Sequence, residues 1–579
     1  MVAQTPENLM NSSLKGKRGA IFLRWKRLED DRSSWRSHWI EISDYLIPRR
    51  GRYLIESQNS KGRKRSTKIV DNTGGQALRT LSAGMMSGMT SPARPWFRLQ
   101  TPDPDLMDGQ GVKAWLGQVE RIIRTILTRS NFYNSASTVY TELGAFGTAA
   151  LYRRRHPTDT VVFRPFTAGE YVIAEDEYGN VDTLGREFTM SVSQVVEQFV
   201  INKIDGSEDW SNVSRTVKRL WDQKNYDERI EIIHLIQPRR MEDRDLTRPL
   251  DPKNKQFMDV YMEKGADGDK LLQEGGFDRF PAYCPRWDVL GGDVYGVSPG
   301  MEYLGDIKQL QHEQKRKAQA IDKMVNPPMV GSLSLKGKPS TVLPGGTTYV
   351  DPQQGSQGFQ PAYLVQPRVN ELMMDIQEVQ NRIQRGFYAD LFAMMINSDR
   401  RMMTATEVAE RHEEKLVLLG PVLQRLNTEL LDPLIEDVFM FALEAGMLPP
   451  PPPVLEGVDL DVKYISLLAQ AQEAVAAASI ERTFAFAGNL TAVFPDIVDN
   501  LNADEAIRNY GDILGTSPEL LRDADAVAQI RQQRAQAQQQ EQQMMQLQQG
   551  AQAAKVLSEA DTQNPNALTA LLQGGGQSI

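Results

Sequence analysis

The stretch from Ser298 to Gly446 constrains the chain more than any other. Ser298-Pro299 supplies an N-cap and a proline at the first helical position. The helix they start carries Met301, Leu304, Ile307, Leu310, Ala318, Ile321 and Val325, and Asn326-Pro327-Pro328 stops it. Pro299 to Val325 spans about 40 Å at 1.5 Å per residue. A return helix of matching length runs from Pro367 to Phe392, with Val369, Leu372, Ile376, Val379 and Ile383 in a 3-4-3-4 seam that continues to Phe387 and Leu391. Two equal helices flanking residues 326–366 predict a hairpin with a small module at its far end. That module reads as strands at 329–335 and 347–350 around a Leu343-Pro344-Gly345-Gly346 turn. A polar loop, Ala393–Met403, leads to the capping box Thr404-Ala405-Thr406-Glu407. The helix it opens has kinks expected at Pro421 and Pro433 and would reach about 60 Å if straight. A rod of that length is expected to cross a larger assembly.

The flanks predict an α+β chain. At 579 residues the length suggests roughly four domains. Residues 1–17 read as a polar arm. Ile21, Trp25, Leu28, Trp35, Trp39, Ile42 and Leu46 form one apolar helix face, interrupted at Arg32, and its three tryptophans suit packing or a subunit interface. Between Thr80 and Phe97, the small residues Ala83, Gly84, Ser87 and Gly88 would let a neighbouring backbone approach. Pro92 and Pro95 then lead into a short strand. Helices follow to Ile126 and Phe146, then a hairpin at Tyr171–Phe188 and a helix capped by Ser191 or Ser193. Ile230–Ile236, Phe257–Met262 and Phe280–Cys284 read as strands. Five prolines at 449–453 mark a stiff linker and a domain boundary. Beyond them comes an acidic helical stretch, then 13 glutamines between Gln529 and Gln552, read as a partly ordered helix.

Composition narrows the function. No apolar run approaches a membrane span, and no signal-peptide core precedes the first helix. A single Cys284 excludes an intramolecular disulfide framework and a four-cysteine zinc site. The net charge of −9 is uneven: residues 451–530 hold 13 acids and 4 bases, and residues 1–70 hold 16 bases and 7 acids. The basic run Lys61–Arg65 reads as a solvated loop.

No stretch of the sequence carries a complete catalytic or metal-binding motif. Gly331–Ser340 imitates a phosphate loop, but it has five residues between its glycines and Pro339 where the metal-binding hydroxyl belongs. His312 and His412 each precede a glutamate without a second histidine four residues on. Asp103, Asp105 and Asp108 lack calcium-loop spacing. No catalytic residue, cofactor or metal is expected, and the chain reads as a non-enzyme.

Four words in order carry a resemblance: Leu81–Phe97 (LSAGMMSGMTSPARPWF), Phe146–Tyr152 (FGTAALY), Pro285-Arg286-Trp287 with Tyr295–Pro299 (YGVSP), and Thr404–Val408 (TATEV). With the order helix, small module, helix, loop, kinked helix, the chain resembles the portal, or head-to-tail connector, proteins of tailed bacteriophages, and looks most like the short-tailed phage type. The resemblance implies a portal fold. Residues 18–297 would be a mixed α/β wing, 298–325 and 367–392 a two-helix stem, and 326–366 a β-containing clip. Residues 393–403 would be a tunnel loop, 404–446 a long kinked helix, 447–530 a helical crown and 531–579 a glutamine-rich tail. It further implies a homo-oligomeric ring of about twelve subunits at the portal vertex of the virion, formed in the host cytoplasm.

Double-stranded DNA would pass through such a ring without sequence preference. The terminase large subunit, the tail adaptor and the major capsid and scaffolding proteins would be its partners, and no membrane is involved. The DNA-channel candidates are Asn397, Ser398, Asp399, Arg400 and Arg401 in the loop and Lys315, Arg316 and Lys317 on the stem. Both basic groups have an alternative, pairing with acids of a neighbouring subunit. Clip candidates for docking are Lys336, Lys338, Thr347, Tyr349 and Asp351. Sliding DNA tolerates few simultaneous phosphate contacts. The crown's net charge of −9 becomes about −108 over twelve copies, which repels DNA from the wall. The competing readings are a nucleic-acid-processing enzyme or its recruiting subunit, or a scaffolding or adaptor component.

Overall fold

A computed structural model describes residues 16–54, 65–103, 106, 111–156, 160–202, 205–266, 269–330, 360–361, 369–397, 418–470, 483–490, 494, 501–513 and 524–559. They fall into two units, Met1–Phe484 and Ala485–Ile579. In the first, helix α1 (Lys17–Tyr45) buries Ile21, Trp25, Leu28, Trp39 and Ile42. Arg32, the break in its apolar spacing, is buried on the same face. Its Nη1 donates to the carbonyls of Gly169 and Tyr171, both at 2.9 Å. A buried cation is tolerated there because main-chain oxygens replace its water. Trp25 and Trp39 belong to the chain's own core, and Trp35 packs partly buried against Tyr295.

Helices α2 (Thr73–Met89), α3 (Val112–Arg129) and α4 (Phe132–Phe146) build the layer beside it. The small-residue face of α2 is narrower than its sequence suggests. Gly84 and Gly88 are buried, whereas Ala83 is exposed. What approaches Gly84 is a side chain and not a backbone, for a Cβ there would fall 2.2 Å from the Phe392 ring. The one-residue offset matters because adjacent helical positions point about 100° apart.

Strand β1 (Phe97–Gln100) follows, then the hairpin β2 (Ala150–His156) and β3 (Thr160–Phe166). β4 (Tyr171–Glu175) and β5 (Val181–Ser191) form the expected hairpin. Ser191 and Gln194 close a capping box on α5 (Val192–Phe199). After α6 (Arg215–Asp222) come β6 (Arg229–Pro238), β7 (Phe257–Glu263), β8 (Gln273–Phe277) and β9 (Ala282–Tyr283). β4 to β8 make an antiparallel sheet in sequence order, and β3-β2-β9 a smaller one. β8 was not legible from sequence because Gln-Glu-Gly-Gly-Phe lacks apolar alternation; it is an edge strand held by main-chain pairing to β7.

The C-terminal half of the first unit holds α7 (Pro299–Glu302), α8 (Leu304–Val325), β10 (Met329–Val330), β11 (Gln360–Pro361), α9 (Val369–Gly386) and α10 (Ala389–Asn397). A third helix comprises α11 (residues 418–426), a π segment at Asn427–Leu431 and α12 (Asp432–Glu444). The π segment ends two residues before Pro433. Proline lacks the amide and crowds the carbonyl four residues back, so a widened turn is the expected accommodation.

Strand β12 (Asp461–Tyr464) pairs antiparallel with β1, Phe97 opposite Tyr464. The Trp115 Nε1 donates to the Pro449 carbonyl at 3.0 Å, and Leu455 and Leu468 join the main core. The compact unit therefore continues past the proline run to Phe484, so prolines 449–453 do not mark its end. A stiff segment still offers carbonyls as acceptors, and its apolar flanks dock.

In the second unit, helices α13 (Ala503–Ile513) and α14 (Ala524–Glu559) are joined by a bidentate Arg531–Asp504 pair at 2.5 and 2.7 Å. The glutamine run lies inside α14, a helix of 36 residues or about 54 Å.

Candidate functional site: an anchored helical hairpin

Ser298 starts the hairpin as its sequence suggests. Its Oγ accepts from the Met301 amide at 3.1 Å and donates to the Ala145 carbonyl at 2.8 Å. The first helix is not continuous, since Tyr303 separates α7 from α8. The return helix is also broken. Phe387 and Tyr388 separate α9 from α10, with Tyr388 at φ 53°. A left-handed non-glycine residue costs free energy, and here burial holds it: Phe387 is fully buried, and Tyr388 stacks at a tilt on Trp287. Helical periodicity carries no signal for a single such residue.

The base of the hairpin is fixed by one carboxylate. Asp71, just before α2, accepts at Oδ1 from the Thr73 amide (2.8 Å) and hydroxyl (2.5 Å). Its Oδ2 accepts from Gln314 Nε2 on α8 (2.8 Å) and from Gln380 Nε2 on α9 (2.9 Å). Both helices of the hairpin thus share one acceptor. Gln311 completes the joint: its Oε1 accepts from the amides of Val70 and Asp71 (2.7 and 2.8 Å), and its Nε2 donates to the Asp71 carbonyl (2.8 Å). Burial alone would raise the Asp71 pKa, but the bonds from Thr73, Gln380 and Gln314 hold it below the ordinary carboxylate value. Arg382 on α9 adds an ion pair to Asp306 on α8 at 3.1 Å.

Beneath the polar joint lies apolar packing. Ile307 and Leu310 of α8 and Ile376, Val379 and Ile383 of α9 are buried in the main core. Phe392 on α10 fills the notch at Gly84, and the Tyr303 ring fills one at Gly386, where a Cβ would fall 2.3 Å away. Arg286 ties this assembly to the third helix. It donates through Nε and Nη2 to Glu429 Oε1 (3.1 and 2.8 Å) and through Nη1 to Glu175 (2.8 Å). Burial works against its charge, yet the two carboxylates raise its pKa. Arg153 and Tyr283 both meet Asp437 on α12, at 2.6 and 2.7 Å.

Past Glu313 the hairpin loses its cover. Ile321, Met324 and Val325 on α8, Met329 and Val330 beyond it, and Met373 and Met374 on α9 are exposed, Val325 to 81% and Met374 to 71%. The two limbs meet again where β10 pairs with β11, Met329 opposite Pro361 and Val330 opposite Gln360. This closes the neck of the small module; the strands read at 331–335 and 347–350, and Lys336, Lys338, Thr347, Tyr349 and Asp351, lie outside the described residues.

Lys315 and Arg316 are exposed and Lys317 is half-buried on α8, and none has an ion-pair partner among the described residues. Arg316 Nε donates instead to His312 Nε2 at 3.4 Å. Asn397 is the last residue of α10, and Ser398, Asp399, Arg400 and Arg401 lie outside the described residues. Sequence reasoning missed Asp71, Gln311, Gln314, Gln380, Arg286 and Glu429. The spacing of Gln311 and Gln314 on one helix face was a usable signal, and nothing local pointed to Gln380.

Among the described residues no group of His, Cys, Asp and Glu could hold a metal ion, and no helix is long and apolar enough to cross a membrane. The hairpin is buried at its base and bare along its far limb, beside a third helix interrupted by a π segment. The family model described as "Bacteriophage head to tail connecting protein" matches residues 18–521. The "Probable portal protein" of Bordetella phage BPP-1 is 48% identical over 556 residues, 96% of this chain and 97% of that one. The "Portal protein" of Salmonella phage epsilon15 is 45% identical over 551 residues, 95% and 97% of the two chains. The chain belongs to the bacteriophage head-to-tail connecting, or portal, protein family. It is a structural component and not an enzyme. A solved chain described as "Virion of native gene transfer agent (GTA) particle" aligns over 78% of this chain and 92% of its own, at 11% identity and a TM-score of 0.33.

Proposed function

We propose that copies of this chain close into a ring of about twelve at one capsid vertex, forming a conduit for genome packaging and ejection. One observation supports this most: a hairpin fixed at its base by Asp71 and stripped of cover toward its tip, where large apolar residues face outward. Such exposure calls for a partner surface, and neighbouring hairpins of a ring would supply one. In this reading α8 and α9 are the stem, residues 326–366 the clip that meets terminase and tail adaptor, and residues 393–403 the loop facing DNA. Residues 18–297 form the wing and 447–530 contribute the crown. Lys315 and Arg316, without an ion pair among the described residues, suit weak phosphate contact or a neighbour's acids. A short-tailed phage architecture fits the same reading. Deleting Ser398–Arg401 tests the loop assignment: rings should form normally while packaged DNA falls. Loss of the ring itself would make the loop structural.

A further inference from the structure

The Pro92–Pro95 loop belongs to one of the most specific words of the sequence, yet the hairpin does not use it. Together with the C-terminal half of α3 it lines a cavity of about 430 Å3. Arg94 comes from the loop, and Arg121, Arg124 and Arg129 come from the C-terminal half of α3, the first two one turn apart. No carboxylate lines the cavity. None of the four arginines has an ion pair or a side-chain hydrogen bond among the described residues, and the Nε of Arg124 is buried without a partner. Glu120 accepts from the Leu99 amide at 2.9 Å and interacts with Arg98 and Arg124 through space.

Four like charges around one cavity repel one another, and the helix C-terminus offsets only part of this for Arg129. Tyr133 completes the lining. Its hydroxyl oxygen accepts from Trp96 Nε1 at 3.4 Å, which leaves its own proton to donate. Thr125 and Thr128 direct their protons to the carbonyls of Arg121 and Arg124. The donors facing the cavity are therefore guanidinium N–H groups and one phenol, and it offers no competing acid.

We propose that this cavity binds a phosphate-class oxyanion, carried either by a nucleic-acid backbone or by a free polyphosphate. A guanidinium presents a rigid fork of donors that matches phosphate oxygens in pairs. A single carboxylate has too few lone pairs and too little charge for four such groups, whereas two or three linked phosphates match both. The two prolines flanking Arg94 restrict the loop, so the fork is positioned before the ligand arrives.

The test uses the full chain with three probes at matched ionic strength: tripolyphosphate, a short single-stranded oligonucleotide and an oligoglutamate peptide. Tripolyphosphate should bind and raise the melting temperature, and R94Q and R121Q/R124Q should each weaken it, by about tenfold per arginine. R94Q lies on the exposed loop and carries the test if the double variant fails to fold. An oligonucleotide that competes with tripolyphosphate identifies a nucleic-acid source, and failure to compete identifies a free polyphosphate. The proposal is overturned if tripolyphosphate affinity is the same in both variants as in the parent, or if the peptide binds as tightly as tripolyphosphate.

Discussion

Asp71 illustrates how much one side chain can organise when the groups around it are all donors. Four hydrogen bonds converge on its two oxygens, and two of them come from different limbs of the hairpin. Asp71→Ala should cost roughly 2 kcal/mol, because it strands donors on three elements at once. Chemical unfolding followed through the hairpin checks this, and an unchanged midpoint would mean that the apolar base alone fixes the helices. His234 makes a second prediction. It is buried between Arg186, whose Nε donates to its Nδ1 at 3.2 Å, and Asp259, which meets Nε2 at 2.6 Å. Burial lowers its pKa and outweighs Asp259, so His234 is neutral with its proton on Nε2. The unfolded chain takes up a proton that the folded chain refuses, so stability is lost as pH falls below about 6.5. His234→Gln keeps an acceptor and a donor without titrating, and should flatten the stability profile between about pH 6.5 and 5. An identical slope in both proteins would assign the acid sensitivity elsewhere.

At the scale of elements, legibility followed periodicity. The tryptophan helix, the Tyr171–Phe188 hairpin, the Ser191 cap and the Ser298-Pro299 start were readable because each is a local rule expressed in consecutive residues. The breaks at Tyr303 and Tyr388 were not, since they arise where a helix must turn onto packing partners far away in sequence. Nor was the β1–β12 pairing, which joins strands more than 350 residues apart. The hairpin was legible as two facing limbs, though both are broken and the described helices α8 and α9 differ in length. The joint that fixes them was not legible, because its acceptor lies some 240 residues from its donors on α8. Gly84 belongs to this scale: the α2–α10 contact exists only because no side chain stands there. Gly84→Val should force Phe392 away and cost at least about 2 kcal/mol. A melting temperature within error of the parent would show that the contact adjusts freely.

For the whole molecule, two features of the hairpin combine. Its base is packed, bonded and continuous with the core, and its outer limb carries Val325 and Met374 in the open. A monomer leaves that limb bare, whereas the proposed ring would cover it. The net charge of −9 on residues 451–530 would, in the proposed ring, disfavour DNA adhesion. Native mass spectrometry of the parent and of V325D/M374D, paired with images down the symmetry axis, tests the ring most directly. A closed ring with a central hole is expected for the parent, and a folded monomer or small oligomers for the variant. A parent that stays monomeric under all assembly conditions, or assembles without a central hole, would contradict it.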